Sequence, residues 1–325
     1  MRILTTLLLA AAPLIYAEIQ DENSEIAAID SPVVAGQALE PPIIESPKPE
    51  IKIKSKSSFW AVGLSMLYPG AGHMYLGEYQ KAAGLAGTTA ASYSSYEETN
   101  GKTKQVSGVI FQNTWFYSSY AAYRDVRNFN EQRGYKYPMP QDSLEDLIKA
   151  PFQWSVVSKK EVWGGILGFL TAGAVVSYYA FPETAIHFPL ATQDNPSMPP
   201  IMAFPVGIGE ESFFRGFLQS TLMEYTSPIP AIFGSSLCFG LVHIPNAEHL
   251  PENQRKVYYT AAVPLITVFG GYMGWLTHKT GSLKYSTAIH SWYDFIVFSA
   301  AASAKKDSKT KAALGRHSFS YSISY

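Results

Sequence analysis

Long apolar stretches separated by short polar breaks run through most of this chain. Most of them reach the ~17–25 residues that an α-helix needs to cross a bilayer. The stretches fall at residues 59–76, 81–96, 106–123, 162–181, 198–225, 229–245, 257–277 and 285–302. This pattern predicts an all-α fold, in the form of a polytopic α-helical membrane protein with about 7–8 transmembrane helices.

The first 56 residues have a different character. Residues 1–17 combine a basic start at Arg2 with an apolar run and small residues ending at Ala17, a pattern typical of a signal peptide. An uncleaved anchor helix is the alternative. Residues 18–56 are rich in Glu, Pro, Ser and Lys without a period, which predicts a disordered linker.

The remainder of the chain has four parts, two apolar and two polar. Residues 57–125 are predicted to form a small helical membrane module of unknown role, and 161–305 the main membrane core. Between them, residues 126–160 form a polar loop rich in Lys and Arg, and 306–325 form a basic polar tail. The excess of positive charge places both the loop and the tail on the cytoplasmic side. An odd number of crossings between them leaves the topology open, with the proline-rich stretch 187–205 as the candidate re-entrant segment.

Composition narrows the classes of function. The chain is 47% hydrophobic and 16% charged, and its net charge of −1 gives no reason to expect nucleic-acid binding. Cys238 is the one cysteine, which excludes an intramolecular disulfide and a cysteine-based zinc cluster. The predicted partners are the lipid bilayer and a ligand or substrate of the membrane core, and nucleic acid is not among them.

Two adjacent acids, Glu210 and Glu211, lie inside an apolar stretch, with Arg215 soon after them. An acidic residue at the centre of a membrane helix costs about 3 kcal/mol, so such residues usually face a polar cavity and have a partner. Arg215 is four residues from Glu211, the helical spacing at which a guanidinium neutralises a carboxylate. Glu210 points about 100° away on the helix and is predicted to remain available as a base.

Two further apolar segments carry acid–base groups. His290 and Asp294 share one helical face at i,i+4, and His243 comes from a separate segment from which it could share a water with Glu210. A single Glu–Arg pair or a single histidine in a membrane helix is often only a packing element. Three independent helices with such groups favour a catalytic centre inside the membrane.

Other histidines lack such partners in the sequence and are interpreted as structural. They are His73, His187, His249, His278 and His317. The chain also lacks the His-Glu-x-x-His pattern of zinc hydrolases and the Gly-x-Ser-x-Gly pattern of serine hydrolases.

At these residues the chain resembles the CAAX protease and bacteriocin-processing family of intramembrane proteases, which includes the Ras-converting CAAX endoprotease. The family pattern places Glu-Glu-x-x-x-Arg, Phe-x-x-x-His and His-x-x-x-Asn on successive helices. Here Glu210 to Arg215, Phe239 to His243 and His290 to Asp294 occupy those positions. The resemblance covers roughly residues 160–305. The earlier Pro69-to-Gly77 segment looks like small bacterial membrane modules with a Pro-Gly-x-Gly-x-x-Tyr pattern.

The resemblance implies an endopeptidase in which Glu210 and His243 activate water. His290 and Asp294 then stabilise the oxyanion or orient the site, with Glu211 and Arg215 in support. Asp294 replaces the asparagine of eukaryotic members, so it must act as a protonated acid or through His290. The favoured hypothesis is a water activated by glutamate and histidine alone, a mechanism that needs no cofactor. The alternative is zinc held by Glu210, His243 and His290.

These expectations define a peptide or protein substrate in the membrane, of unspecified identity. The chain is expected in a membrane, with a bacterial cytoplasmic membrane favoured. Two other classes of function stay open at this point: a catalytically silent scaffold or chaperone of the same fold, and a proton-coupled transporter. No internal repeat of the transporter kind is visible between the two halves of the chain.

Overall fold

The computed structural model describes residues 55–180, 199–248, 250 and 252–314. All elements in those ranges are helical, so the all-α prediction is confirmed for them. The predicted signal peptide at 1–17, nearly all of the linker at 18–56, part of the 187–205 stretch and the last residues of the tail lie outside the described residues. So do His187, His249 and His317.

The first part of the fold is a group of four helices. They are α1 (Ser58–Leu67), α2 (Ala71–Leu76), α3 (Tyr79–Glu98) and α4 (Gly101–Phe129). Gly70 and Gly77 flank α2 with φ of 92° and 87°, a left-handed backbone that favours glycine. Gly72 lies directly against the carbonyl of Ala61, where no side chain fits. The apolar stretch 59–76 is therefore a helical hairpin broken at its Pro-Gly pair.

Helix α4 is longer than the hydrophobic pattern indicates, because it continues past residue 123 to Phe129. Its charged end is buried, with Arg127 only 1% exposed. Arg127 Nη1 pairs with Glu224 at 3.0 Å, across almost a hundred residues of sequence. The polar residues that suggested the start of a loop are thus part of a helix packed on the core.

The segment 126–160 is also more ordered than a free loop. After α4 it contains three short helices, Leu144–Lys149, Ala150–Phe152 and Trp154–Val157. Ser143 and Asp146 form a capping box at the first of them. Buried Asp142 accepts hydrogen bonds from Ser282 Oγ at 2.9 Å and from Leu283 N at 2.7 Å. These bonds tie the segment to the start of the last long helix.

The second part of the fold contains the remaining long helices. They are α5 (Lys160–Ala180), α6 (residues 203–225), α7 (Pro228–Leu241), α8 (Val263–Thr280) and α9 (Lys284–Leu314). Helix α6 joins Ala203–Glu211, a π-helical Ser212–Leu218 and Gln219–Tyr225 without a break. Shorter helical turns precede α6 and α8, at Pro200–Met202, Ile244–Ala247, Glu252–Val257 and the π-helical Tyr258–Ala262.

Three helical stretches of the described chain are long and apolar enough to cross a membrane: Lys160–Tyr178, Pro228–Ala247 and Gln254–Thr280. Large apolar side chains on them point away from the protein, among them Leu167, Phe233 and Val268, which are 58%, 63% and 62% exposed. Such faces suit contact with lipid. The apolar helices indicate a membrane protein, and the larger count of about 7–8 crossings stays a prediction.

Close contact between α4 and α6 gives a testable consequence. The ring of Tyr120 packs on Gly216, and its hydroxyl donates to the carbonyls of Pro140 and Asp142, both at 3.0 Å, so the ring cannot turn away. A Cβ at Gly216 would lie 2.8 Å from Tyr120 Cε2. Gly216→Ala should therefore lower the free energy of unfolding by about 1–3 kcal/mol, measured by thermal melting in detergent.

Gly164 on α5 provides the matched control, since a Cβ there meets nothing within 4 Å. Gly164→Ala should leave the melting temperature unchanged or raise it slightly, because alanine favours the helix over glycine. Equal melting of the two variants would show that Tyr120 yields to the added methyl group.

Candidate active site

The motif residues of α6 face α9 across a close helix–helix contact. Gly207 creates that contact, since a Cβ there would lie 3.0 Å from the backbone nitrogen of Ser291. One turn further along, the helix widens into its π-helical portion at Ser212–Leu218, directly after the two acids. Such π-helical turns recur at functional sites. The close approach of the helices at Gly207 places Glu210 and Glu211 beside His290, just before the widened turn.

Glu211 and Arg215 form a fully buried ion pair. Arg215 Nη1 donates to Glu211 Oε1 at 2.9 Å, and both side chains are 0% exposed. The guanidinium also lies over the ring of Phe239, 4.2 Å from its centroid, in a cation–π contact. Gly270 makes room for it, because a Cβ at that position would lie 2.8 Å from Arg215 Nη2. The pair predicted from the i,i+4 spacing is present, with an aromatic face added.

His290 is the point at which the acids of the site meet. Its Nδ1 donates to Glu211 Oε1 at 2.8 Å. On the other side of the ring, Nε2 lies 3.4 Å from Asp294 Oδ2 and 3.8 Å from Glu210 Oε2. The imidazole is 3% exposed, and its orientation is fixed from both sides. One histidine is thus surrounded by carboxylates from two helices.

Glu210 differs from Glu211 in what holds it. It is 8% exposed, and its Oε2 has no hydrogen-bond partner among the described residues. Although the two acids point about 100° apart on the helix, Glu210 is not remote from the surroundings of Glu211. Both acids approach the same imidazole, one at each nitrogen. Glu210 keeps a free acceptor atom beside that ring, the property that a general base requires.

His243 lies just beyond the end of α7, in the turn that follows Leu241. Its Nδ1 is 2.7 Å from the carbonyl oxygen of Phe239. A carbonyl only accepts, so Nδ1 carries the proton, and Nε2 of the neutral ring is an acceptor. The ring stacks edge-on against Phe239, 4.9 Å between centroids, and Phe239 in turn contacts His290. Within the described residues, His243 makes no direct hydrogen bond to Glu210.

The proposed zinc ligands do not fit a metal as they stand. A bound ion needs its ligand atoms gathered within a few ångströms of one point. Glu210, His243 and His290 form no such group in the described part of the chain, although other side chains elsewhere do. The spacing of the ligand atoms is what does not fit, since His243 Nδ1 on a backbone carbonyl and His290 Nδ1 on Glu211 are outer hydrogen bonds that metal-binding histidines also make.

An apolar cavity of about 120 Å³ adjoins this site. Its walls come from α5, α8 and α9 and from the turns before α8, and they include Phe269 and Tyr293. Phe269 also contacts the His290 ring, with centroids 6.0 Å apart. Only the side chain of Phe269 therefore separates the cavity from the ring of His290.

Several residues of the site carry no signal in the sequence. Gly207 and Gly270 are ordinary members of apolar helices, and Phe269 is one of many aromatics; only the tertiary structure shows what they contact. Two histidines interpreted as structural do have neighbours: His278 stacks on Tyr137, and His73 lies 3.4 Å from Asp125. The absence of a partner for His73 was thus a wrong inference, since that partner comes from a distant helix.

Residues 193–296 match the family described as type II CAAX prenyl endopeptidase Rce1-like. This segment contains all seven motif residues, and it supports the resemblance to CAAX proteases first seen in the motifs. No curated protein matches the chain, and no solved structure does. The match begins after α5, so helices α1 to α5 lie outside it.

Proposed function

From the match of residues 193–296 to the Rce1-like family, we propose that this chain is an intramembrane endopeptidase that hydrolyses a peptide bond with a water activated by Glu210 and His243. The observation that carries the proposal is the unpartnered Oε2 of Glu210, buried 3.8 Å from the Nε2 of His290. A buried carboxylate oxygen with no partner is costly to keep for structural reasons alone.

In the proposed reaction, Glu210 removes a proton from water while the water oxygen attacks the peptide carbonyl carbon. His243 Nε2 accepts the second hydrogen bond of that water and orients it. The carbonyl oxygen becomes an oxyanion, which the Nε2–H of His290 stabilises. Glu210 then passes its proton to the amide nitrogen, the C–N bond breaks, and a carboxylic acid and an amine leave the site.

The ion pair and Asp294 have supporting roles in this mechanism. Arg215 neutralises Glu211, and Glu211 holds His290 through Nδ1. Asp294 lies against Nε2 and stabilises the charged imidazole. The apolar cavity beside Phe269 accepts an apolar group of the substrate. No step requires a metal ion. Zinc on the same three residues, the alternative form, would require their ligand atoms to move closer together than they lie in the structure.

Comparative proteomics of membranes tests the function in the cell. Membranes that contain the wild-type chain should yield peptides with new termini that are missing when Glu210→Gln replaces it. The silent-scaffold alternative predicts identical peptide sets. A transporter likewise predicts no new termini.

Asp294→Asn separates the two roles open to this residue. Asn keeps the shape but loses the charge that stabilises protonated His290, so turnover should fall at least tenfold, about 1.4 kcal/mol of transition-state free energy. KM should change little, since Asp294 acts through His290 rather than on the ground-state substrate. The measurement is kcat and KM on a cleaved peptide across neutral pH. Full turnover would mean that Asp294 is a simple donor, which asparagine replaces.

A further inference from the structure

A second group of acid–base side chains lies outside the segment that matches the protease family. His73 comes from α2, Glu78 from the turn before α3, and Asp125 from the buried end of α4. One ligand atom from each lies within 4.8 Å of the others. Among the described residues, this cluster has the ligand types and the spacing of a cation site.

The backbone fixes two of the three side chains across one tight turn. Gly77 has a φ of 87°, and this left-handed turn lets Glu78 N donate to the carbonyl of His73 at 2.8 Å. His73 and Glu78 are therefore held on the same side of the turn. The Pro-Gly-x-Gly-x-x-Tyr segment, to which the protease proposal gives no role, builds this geometry.

Asp125 is oriented by Arg124 through one carboxylate oxygen, while its other oxygen faces His73 and Lys81. Arg124 Nε donates to Asp125 Oδ1 at 2.8 Å. The other oxygen, Oδ2, faces the cluster and lies 3.4 Å from His73 Nε2. A carboxylate held through one oxygen, with the second directed at a histidine, is the arrangement that outer hydrogen bonds give to metal ligands.

Two groups of the cluster lack the hydrogen bonds that burial normally requires. The His73 side chain is 0% exposed, and neither of its ring nitrogens makes a hydrogen bond to the described residues. Glu78 Oε2 is likewise buried and without a partner in that part of the chain. Nδ1 of this buried imidazole has no partner among the described residues, and Nε2 has only the Asp125 carboxylate at 3.4 Å, a costly arrangement that points to a ligand.

A positive charge already sits among the carboxylates. The Lys81 ammonium is 2.8 Å from Asp125 Oδ2 and 2.9 Å from Glu78 Oε1. The Lys81 side chain is half exposed, so its ammonium can turn into water without leaving a buried gap. The Lys81 ammonium thus shows that the two carboxylates bind a cation at this position, and a metal ion can displace it.

We propose that His73, Glu78 and Asp125 bind a divalent first-row transition cation of the Zn²⁺ class, with Lys81 as the competing charge. Two carboxylates balance a dication, and the imidazole nitrogen favours zinc over calcium or magnesium. Ligand atoms around a tetrahedral zinc lie about 3.3 Å apart, so small side-chain rotations close the cluster around the ion. The fourth position is open to water. The cation joins α2, α3 and α4 at one point.

Metal titration of the full chain in detergent micelles tests this proposal, with Zn²⁺ followed by calorimetry and Co²⁺ by its visible absorption. His73→Gln should weaken binding at least tenfold, and the matched control His278→Gln, an exposed histidine, should leave it unchanged. Lys81→Met should tighten binding several-fold, because the competing ammonium is gone. Binding should persist in Glu210→Gln/His243→Gln, which disrupts the protease site.

Three outcomes would overturn the proposal: no stoichiometric binding by wild type, equal binding by His73→Gln, or loss of binding only in the protease-site variant. Each of these outcomes would mean that the cluster is only a network of ion pairs with Lys81 and binds no metal. Melting curves check that the variants fold. Should His73→Gln not fold, Lys81→Met and Asp125→Asn decide the question, since the first must raise the affinity and the second must lower it.

Discussion

Glu210→Gln should reduce peptide hydrolysis by about 10³-fold or more, while the protein still inserts and folds. Glutamine has almost the same volume as glutamate, so the packing of α6 on α9 is kept. The substitution removes the carboxylate that takes the proton from water. Because Glu210 Oε2 has no hydrogen-bond partner in the described part of the chain, the substitution removes no hydrogen bond at that atom, and only the longer 3.8 Å contact to His290 loses its charge.

The measurement is turnover of a membrane peptide by purified protein, together with the melting temperature in detergent. Glu98→Gln is the matched control, since Glu98 is exposed at the end of α3 and far from the motif in sequence. The control should retain full turnover. If Glu210→Gln were as active as wild type, the assignment of Glu210 as the base would be wrong, and so would the mechanism that depends on it.

Glu211→Gln should instead destabilise the fold, by about 3 kcal/mol or more, because it leaves the Arg215 charge buried without its carboxylate. The two partners are unequal in this respect. Glu211 Oε1 accepts from both Arg215 and His290, whereas the Arg215 guanidinium hydrogen-bonds only to Glu211 within the described structure. Arg215→Met should therefore cost less than Glu211→Gln, since Glu211 keeps His290.

Melting in detergent of both single variants and of the double variant measures this coupling. The double variant should lose less stability than the sum of the two single losses, because it leaves no unpaired charge. Glu145→Gln is the control: Glu145 and Lys149 have the same i,i+4 spacing but are 74% and 58% exposed. That change should cost below about 1 kcal/mol. Additive losses at Glu211 and Arg215 would contradict the ion-pair interpretation.

Contacts within one helix were the part of the site that the sequence could predict. Glu211 with Arg215 and His290 with Asp294 follow from the i,i+4 spacing alone. The direction of Glu210 did not follow, because it depends on how closely α9 approaches at Gly207. The setting of His243 also depends on tertiary structure, since α7 ends at Leu241 and the histidine lies in the following turn.

The fold shows the same division between local and distant causes. Hydrophobic stretches predicted helices at nearly correct positions, because an apolar run of that length can satisfy its backbone only as a helix in lipid. The end of α4 was misjudged because Arg124 and Arg127 are typical of loops. Their partners, the carbonyl of Asp142 and the carboxylate of Glu224, are brought to them only by the tertiary fold. A hydropathy pattern cannot predict such pairs, because their members are far apart in the sequence.

The packing of α4 on α6 also constrains how related sequences can vary. Asn113 fills the space beside Gly209, one residue before Glu210, as Tyr120 fills the space beside Gly216. A larger residue at either glycine position is tolerable only if the residue opposite it becomes smaller. Among homologues, positions 113 and 209 should therefore change together, and so should positions 120 and 216, although one member of each pair lies outside the protease segment. Transplanting residues 193–296 into another membrane protein should fail unless a helix with this pair of side chains is supplied with them.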